Sequence, residues 1–139
     1  MLRAYLASYH VGRFLAIAHL TNHYTYSGYS DFSDVDLMRL QAALLDIKKT
    51  ADEHGARVYV ILVPSPNDFQ RARQGSNRLG PVLVHWAAAH DIAALDLLPE
   101  MVARTPGDYS PIFLPCDNHW SPYGAGLTAE ILQPWMYGK

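Results

Sequence analysis

Val58-Tyr59-Val60-Ile61-Leu62-Val63, closed by Pro64-Ser65-Pro66-Asn67-Asp68, is the stretch on which the fold turns. Six apolar, mostly β-favouring residues run without polar alternation and stop at two prolines, which is how a strand covered on both faces reads. The residues before it have a different period. Leu37, Leu40, Leu44 and Ile47 recur at spacings of three and four, Ser33 or Asp34 is placed to cap, and Gly55 to stop, so an amphipathic helix precedes the strand. A helix followed by a strand without alternation implies a parallel sheet under helices, and hence an α/β chain.

The same order recurs downstream. After a polar loop through Gly80, the residues Val82, Leu83, Trp86 and Ala87 form a second helical stripe, with Pro81 suited to its first turn. Asp91 to Leu97 predicts a short second strand. Pro99 to Cys116 mixes proline, glycine and tyrosine and predicts a long loop with at most one turn of helix around Met101. A final helix begins at Ser121-Pro122, a cap followed by proline, and carries Leu127, Ile131 and Leu132 before Trp135. At the other end, Leu2, Leu6, Tyr9, Phe14, Ile17 and Ala18 predict a helix that fades into a polar, aromatic loop from Thr21 to Tyr29. No repeat interrupts this order, and 139 residues suit one domain.

Composition excludes some functions. Half the residues are hydrophobic and 17% are charged, which fits a chain that buries a core. A net charge of -2 without a basic run offers nucleic acid no footprint. No apolar run approaches the ~20 residues of a membrane span, and Arg3, His10 and Arg13 interrupt the N-terminus before a signal-peptide core forms. The compartment is left open. Cys116 has no second cysteine to pair with, and no cysteine-hydrolase motif surrounds it, so it reads as a small buried residue.

Chemistry concentrates in Asp117-Asn118-His119-Trp120-Ser121-Pro122-Tyr123-Gly124, a loop that runs into the last helix. An imidazole titrates near neutral pH, and a nearby carboxylate can hold its tautomer, so Asp117 and His119 can form the acid and base of an acyl-transfer triad. The residues alone leave a structural alternative open, with Asp117 capping a turn and His119 packed against Trp120.

Asp117-Asn118-His119-Trp120 with Gly124 four residues on, ahead of an apolar C-terminal helix, resembles the closing block of the SGNH (GDSL-like) hydrolase superfamily. It is most similar to the branch with an Asp-x-His-Trp block, which includes esterases and O-acetyltransferase-like proteins that act on polysaccharides. Glu53-His54-Gly55, Val63-Pro64-Ser65-Pro66 and Asp91 to Leu97 agree in order, so the resemblance spans roughly residues 35 to 133. It implies a three-layer α/β/α domain with a parallel, flavodoxin-like sheet and a Ser-His-Asp triad acting on an ester or acylated carbohydrate. By position, His119 is then the general base, Asp117 the orienting acid, Trp120 a flank of the substrate pocket and Gly124 a point of close packing. The Asp-x-His spacing is one residue shorter than the commoner Asp-x-x-His.

The resemblance also implies a serine in a Gly-Asp-Ser block upstream. None of the serines at 8, 27, 30, 33, 65, 76, 110 and 121 has that setting. The expectation is therefore the C-terminal part of such a domain, incomplete and nearly inactive alone, prone to self-association or to pairing with a missing N-terminal segment. Ser65-Pro66-Asn67-Asp68 is similar to the family's Gly-x-Asn-Asp block with serine in place of glycine, which would make Asn67 an oxyanion donor; a proline-rich turn at a strand end is the preferred reading. The contrasting function is a non-catalytic glycan- or protein-binding module that keeps half of the fold.

No cofactor and no metal are expected. His19 and His23 fall where the first helix fades, and no Cys pair or His-x-x-x-His on a firm helix occurs. His85 and His90 read as decoration of the second helix. Tyr24, Tyr26 and Tyr29 read as an aromatic loop packed on its own core, with a carbohydrate or acyl pocket as the alternative. An extracytoplasmic setting is compatible with the resemblance.

Overall fold

The computed structural model describes residues 27–115 and 118–138. The expected first helix, Tyr24, Tyr26, the His19/His23 pair, Cys116 and Asp117 lie outside the described residues.

Helix α1 (Asp34–Glu53) starts at a reciprocal cap: the Asp36 N–H donates to Ser33 Oγ at 3.2 Å and the Ser33 N–H to Asp36 Oδ2 at 3.1 Å. The Ser33 hydroxyl, which donates to Asp36 Oδ2 at 2.6 Å, and then the Ser33 N–H hold the Asp36 carboxyl below the usual carboxylate range. Gly55 ends the helix with φ +64, a conformation that favours glycine. Strand β1 (Tyr59–Leu62) follows, and then helix α2 (Pro66–Arg73), helix α3 (Leu79–Ala88) and strand β2 (Ala93–Asp96). The two strands pair in parallel, Tyr59 opposite Ala93 through Leu62 opposite Asp96. Helix α4 (Leu97–Arg104), a 3-10 turn (Ser110–Ile112) and helix α5 (Pro122–Tyr137) complete the order. The chain is thus a mixed α/β structure around a two-stranded parallel sheet.

Three expectations need correction. The segment after β1 is not a loop: Pro66 begins an eight-residue helix whose first position suits a residue without an N–H. Likewise Leu97–Arg104 is two turns of helix rather than one turn around Met101, because Asp96 ends β2 and caps α4 in the same step, accepting from the Leu98 N–H at 3.0 Å. Finally, β1 is not covered on both faces. Only Leu62 is buried, while Tyr59 is 45% and the adjacent Val63 56% exposed. Two strands and short helices cannot wrap a β strand, and α1 buries Leu44 alone while leaving Val35, Met38 and Ile47 in solvent.

The core lies mainly on the β2 side of the sheet. Phe69, Leu83, Leu97, Met101, Ile112 and Leu127 pack there, and Tyr29 joins them from the loop before α1, as an aromatic loop packed on its own core should. Trp86 and His90 are half-buried, their rings 4.5 Å apart, while His85 is exposed.

Candidate functional site

Functional groups of parallel sheets gather beyond the carboxyl ends of the strands. Three segments meet there: 63–68 after β1, 96–98 after β2, and, leading into α5, 109–115 with 118–121. Phe69 binds the first to the third. Fully buried, it stacks on Tyr109 with ring centres 5.1 Å apart and meets Phe113 edge-on at 5.7 Å. A groove of about 660 Å³ runs along this junction, with Pro66 on one side and Tyr109, Phe113, Leu114 and Pro115 on the other.

The loop that carries His119 is closed by a short antiparallel bridge between Phe113 and Trp120. The Leu114 N–H donates to the His119 carbonyl at 2.9 Å, and the Ser121 N–H to the Ile112 carbonyl at 2.8 Å. Ser121 locks the exit. Its hydroxyl donates to the Pro111 carbonyl at 2.5 Å and accepts from the Gly124 N–H at 3.1 Å, which caps α5. Gly124 is buried against Ile112, and a Cβ there would collide with the Ile112 carbonyl oxygen. His119 is exposed, and Trp120 is half-buried and packed on the core rather than lining the groove. Beside the groove, the N–H and hydroxyl of Ser110 hold the Asp108 carboxyl below its usual range.

Asp68 organises the other side. Its carboxylate is 3% exposed and accepts from Ser27 Oγ at 2.6 Å and the Tyr29 N–H at 3.4 Å through one oxygen. Through the other it accepts from the Ser65 N–H at 2.6 Å and Ser65 Oγ at 2.7 Å. Ser65 thus caps α2. Asn67, in the first turn of α2, is half-buried and borders a separate cleft of about 190 Å³ with Gln70, Arg71 and Gln74. The role of Asp68 was readable as Ser65-x-x-Asp68, the spacing of a capping box. The buried Tyr29 hydroxyl lies near the Asp96 carboxylate but makes no well-formed hydrogen bond with the described residues, and burial first, then the charge and proximity of Asp96, push its pKa up.

Every described serine hydroxyl has a job of this kind. Ser27 and Ser65 donate to Asp68, Ser30 to the Ser76 carbonyl and Ser76 to Ser30 Oγ. Ser33 donates to Asp36, Ser110 to Asp108 and Ser121 to Pro111. A hydroxyl has one proton, and in each of these seven it points at an oxygen rather than an imidazole. Among the described residues, no three His, Cys, Asp or Glu side chains cluster as metal ligands, and no helix is long and apolar enough to cross a membrane.

Comparison with known proteins adds one finding: the family model for the SGNH hydrolase-like domain of acetyltransferase AlgX matches residues 26–135. No curated protein and no solved structure matches.

Proposed function

Because this chain belongs to the SGNH hydrolase-like family of acetyltransferase AlgX, we propose that it supplies the acid-base half of a serine acyl-transfer site that acts on an acetylated polysaccharide. The observation that carries this reading is the position of His119 within the matched segment. It sits on a loop pinned at both ends by backbone hydrogen bonds and by the Ser121 cap, beside the groove at the carboxyl end of the sheet. A general base gains most when its backbone is fixed before substrate arrives.

In the proposed reaction, a serine Oγ–H gives its proton to the His119 ring as the oxygen attacks the acyl carbonyl. The tetrahedral intermediate collapses, the imidazolium returns the proton to the departing alkoxide, and an acyl-serine remains. A sugar hydroxyl or water, deprotonated by His119, then takes the acyl group. Asp117 orients the imidazole, and Trp120, half-buried against the core and expected from the sequence to flank the pocket, backs the His119 loop. Asn67 is a secondary assignment as oxyanion donor. Ser65 stands where that block has glycine, and its hydroxyl and N–H already serve Asp68, so it acts through the loop rather than on substrate. The seven engaged hydroxyls support a nucleophile from outside the described residues, and the second edge of β1, unpaired among the described residues, supports completion of the sheet to a three-layer domain by further strands.

The same engaged hydroxyls favour a second reading, a glycan- or protein-binding module that keeps half of the fold without turnover. One experiment separates the two. Acetyl release from nitrophenyl acetate and acetyl transfer to a xylan acceptor are measured for the 139-residue chain and for the longer product of the flanking coding sequence. The short chain should be silent, and the longer product active, with His119→Ala lowering its rate at least about 100-fold. Turnover by the short chain that vanishes in His119→Ala would refute the external nucleophile, and a longer product that stays inactive would favour the binding module.

A further inference from the structure

At the amino end of the sheet, opposite the His119 loop, a second cleft of about 440 Å³ opens where β1, β2 and the ends of α1 and α5 converge. From its position we infer that it is a distal carbohydrate subsite, which binds a pyranose segment of the polysaccharide chain; this rests on the polysaccharide reading above.

The lining has the two components that sugar recognition needs. One is aromatic: Tyr59, 45% exposed, and Trp135, half-buried, meet edge-on with ring centres 5.6 Å apart, and their faces can take the apolar C–H side of a pyranose. The other is a mixed set of charged groups. Lys48 is paired to Asp52 at 2.7 Å, whereas Arg57 and Asp91 have no ion pair or side-chain hydrogen bond with the described residues. A guanidinium donates to sugar oxygens and a carboxylate accepts from sugar hydroxyls. Four charges that sum to zero favour a hydroxyl-rich ligand over a polyanion. The lining is more polar than apolar, as suits a ligand dense in hydroxyls, and the volume lies within the usual range of small-ligand pockets.

The backbone agrees. Asp91 has φ +56, in a region few non-glycine residues adopt, and this conformation sets its carboxylate at the entrance to β2. The cleft lies about 20 Å from the His119 loop, because Trp120 and Trp135 bracket α5 at 1.5 Å of rise per residue. A polymer held at Trp135 can therefore reach the base only through several intervening sugars, which makes this a subsite for chain length rather than for the reacting unit.

The test is a titration of the full chain with cellohexaose and with glucose, followed by tryptophan emission and repeated with Arg57→Ala, Asp91→Asn and, as a control outside both the cleft and the groove, the exposed His85→Ala. Asparagine keeps the tolerance for positive φ, and far-UV circular dichroism confirms that each variant is folded. The hexasaccharide should shift the emission and bind more tightly than glucose, about tenfold more weakly in Arg57→Ala and in Asp91→Asn than in the parent, and unchanged in His85→Ala. No response to the hexasaccharide, parental affinity in the two cleft variants, or equal weakening in His85→Ala would overturn the subsite. Because no turnover is read, failure here leaves the acyl-transfer proposal standing, and loss of acyl transfer leaves the subsite standing.

Discussion

Two glycines in one helix should respond to the same substitution with opposite signs. Gly124 and Gly126 both lie near the start of α5, yet a Cβ at Gly124 would meet the Ile112 carbonyl oxygen inside contact distance and Ile112 Cγ2 at 3.0 Å, while nothing lies within 4 Å of one at Gly126. Forcing a methyl into a filled space costs about 1–3 kcal/mol. The carbonyl it strikes also accepts the Ser121 N–H at 2.8 Å, and losing that bond adds about 1 kcal/mol. Alanine returns about 1 kcal/mol of helix propensity at either site. Gly124→Ala should therefore destabilise by about 2 kcal/mol, and Gly126→Ala should stabilise by up to about 1 kcal/mol. In urea, with m near 2 kcal/mol/M, the midpoints should move in opposite directions by about 1 M and about 0.5 M. Midpoints that move the same way would refute the close approach between α5 and the 112–121 loop. Under the acyl-transfer proposal, Gly124→Ala should also lower turnover, because the struck carbonyl anchors the loop of His119.

Two further predictions concern buried groups. Asp68→Ala removes an acceptor that serves Ser27, Tyr29 and Ser65 in a nearly water-free site, and should cost about 2–4 kcal/mol in thermal or urea unfolding; a loss below about 1 kcal/mol would mean that these donors find other partners. Tyr29 has a folded pKa above its unfolded value, so its contribution is complete below about pH 10 and is lost as pH rises beyond that. Urea midpoints taken from about pH 8 to pH 11 should fall for the parent and fall less for Tyr29→Phe, which at neutral pH should be neutral or slightly more stable, since its hydroxyl has no partner to lose. Parallel alkaline slopes would contradict the buried phenol.

What could be read from the chain divides along physical lines. α1, β1, α3, β2 and α5 were legible because their apolar periods run for several turns or a full strand, with Ser33, Gly55 and Ser121 as punctuation. α2 and α4 were not, because eight residues give a period too little length and because both carry prolines that suggest loops. Their caps, Ser65-x-x-Asp68 and Asp96, held the missing information. The exposure of β1 was invisible, since an apolar run says what a strand prefers and not how much cover the rest of the chain provides. At the candidate site, the close packing of Gly124 was legible from motif spacing, whereas the role of His119 is a proposal and Asp117 lies outside the described residues. The commitment of each serine hydroxyl could not be foreseen, because it depends on contacts such as Ser27 to Asp68 across 41 positions.

The bridge between Phe113 and Trp120 makes the His119 loop a cooperative part of α5 and not an appendage of the sheet. The ladder bond from the Ser121 N–H to the Ile112 carbonyl and the cap of α5 share Ser121, and Gly124 packs on the same Ile112, so the exit of the loop and the start of the helix are held by the same residues. Local fluctuations that unravel the first turn of α5 thus loosen the His119 loop, while those that fray α1 leave it in place. The lifetime of the loop is then set by the rate at which one helix end opens, independently of how firmly the exposed α1 is held.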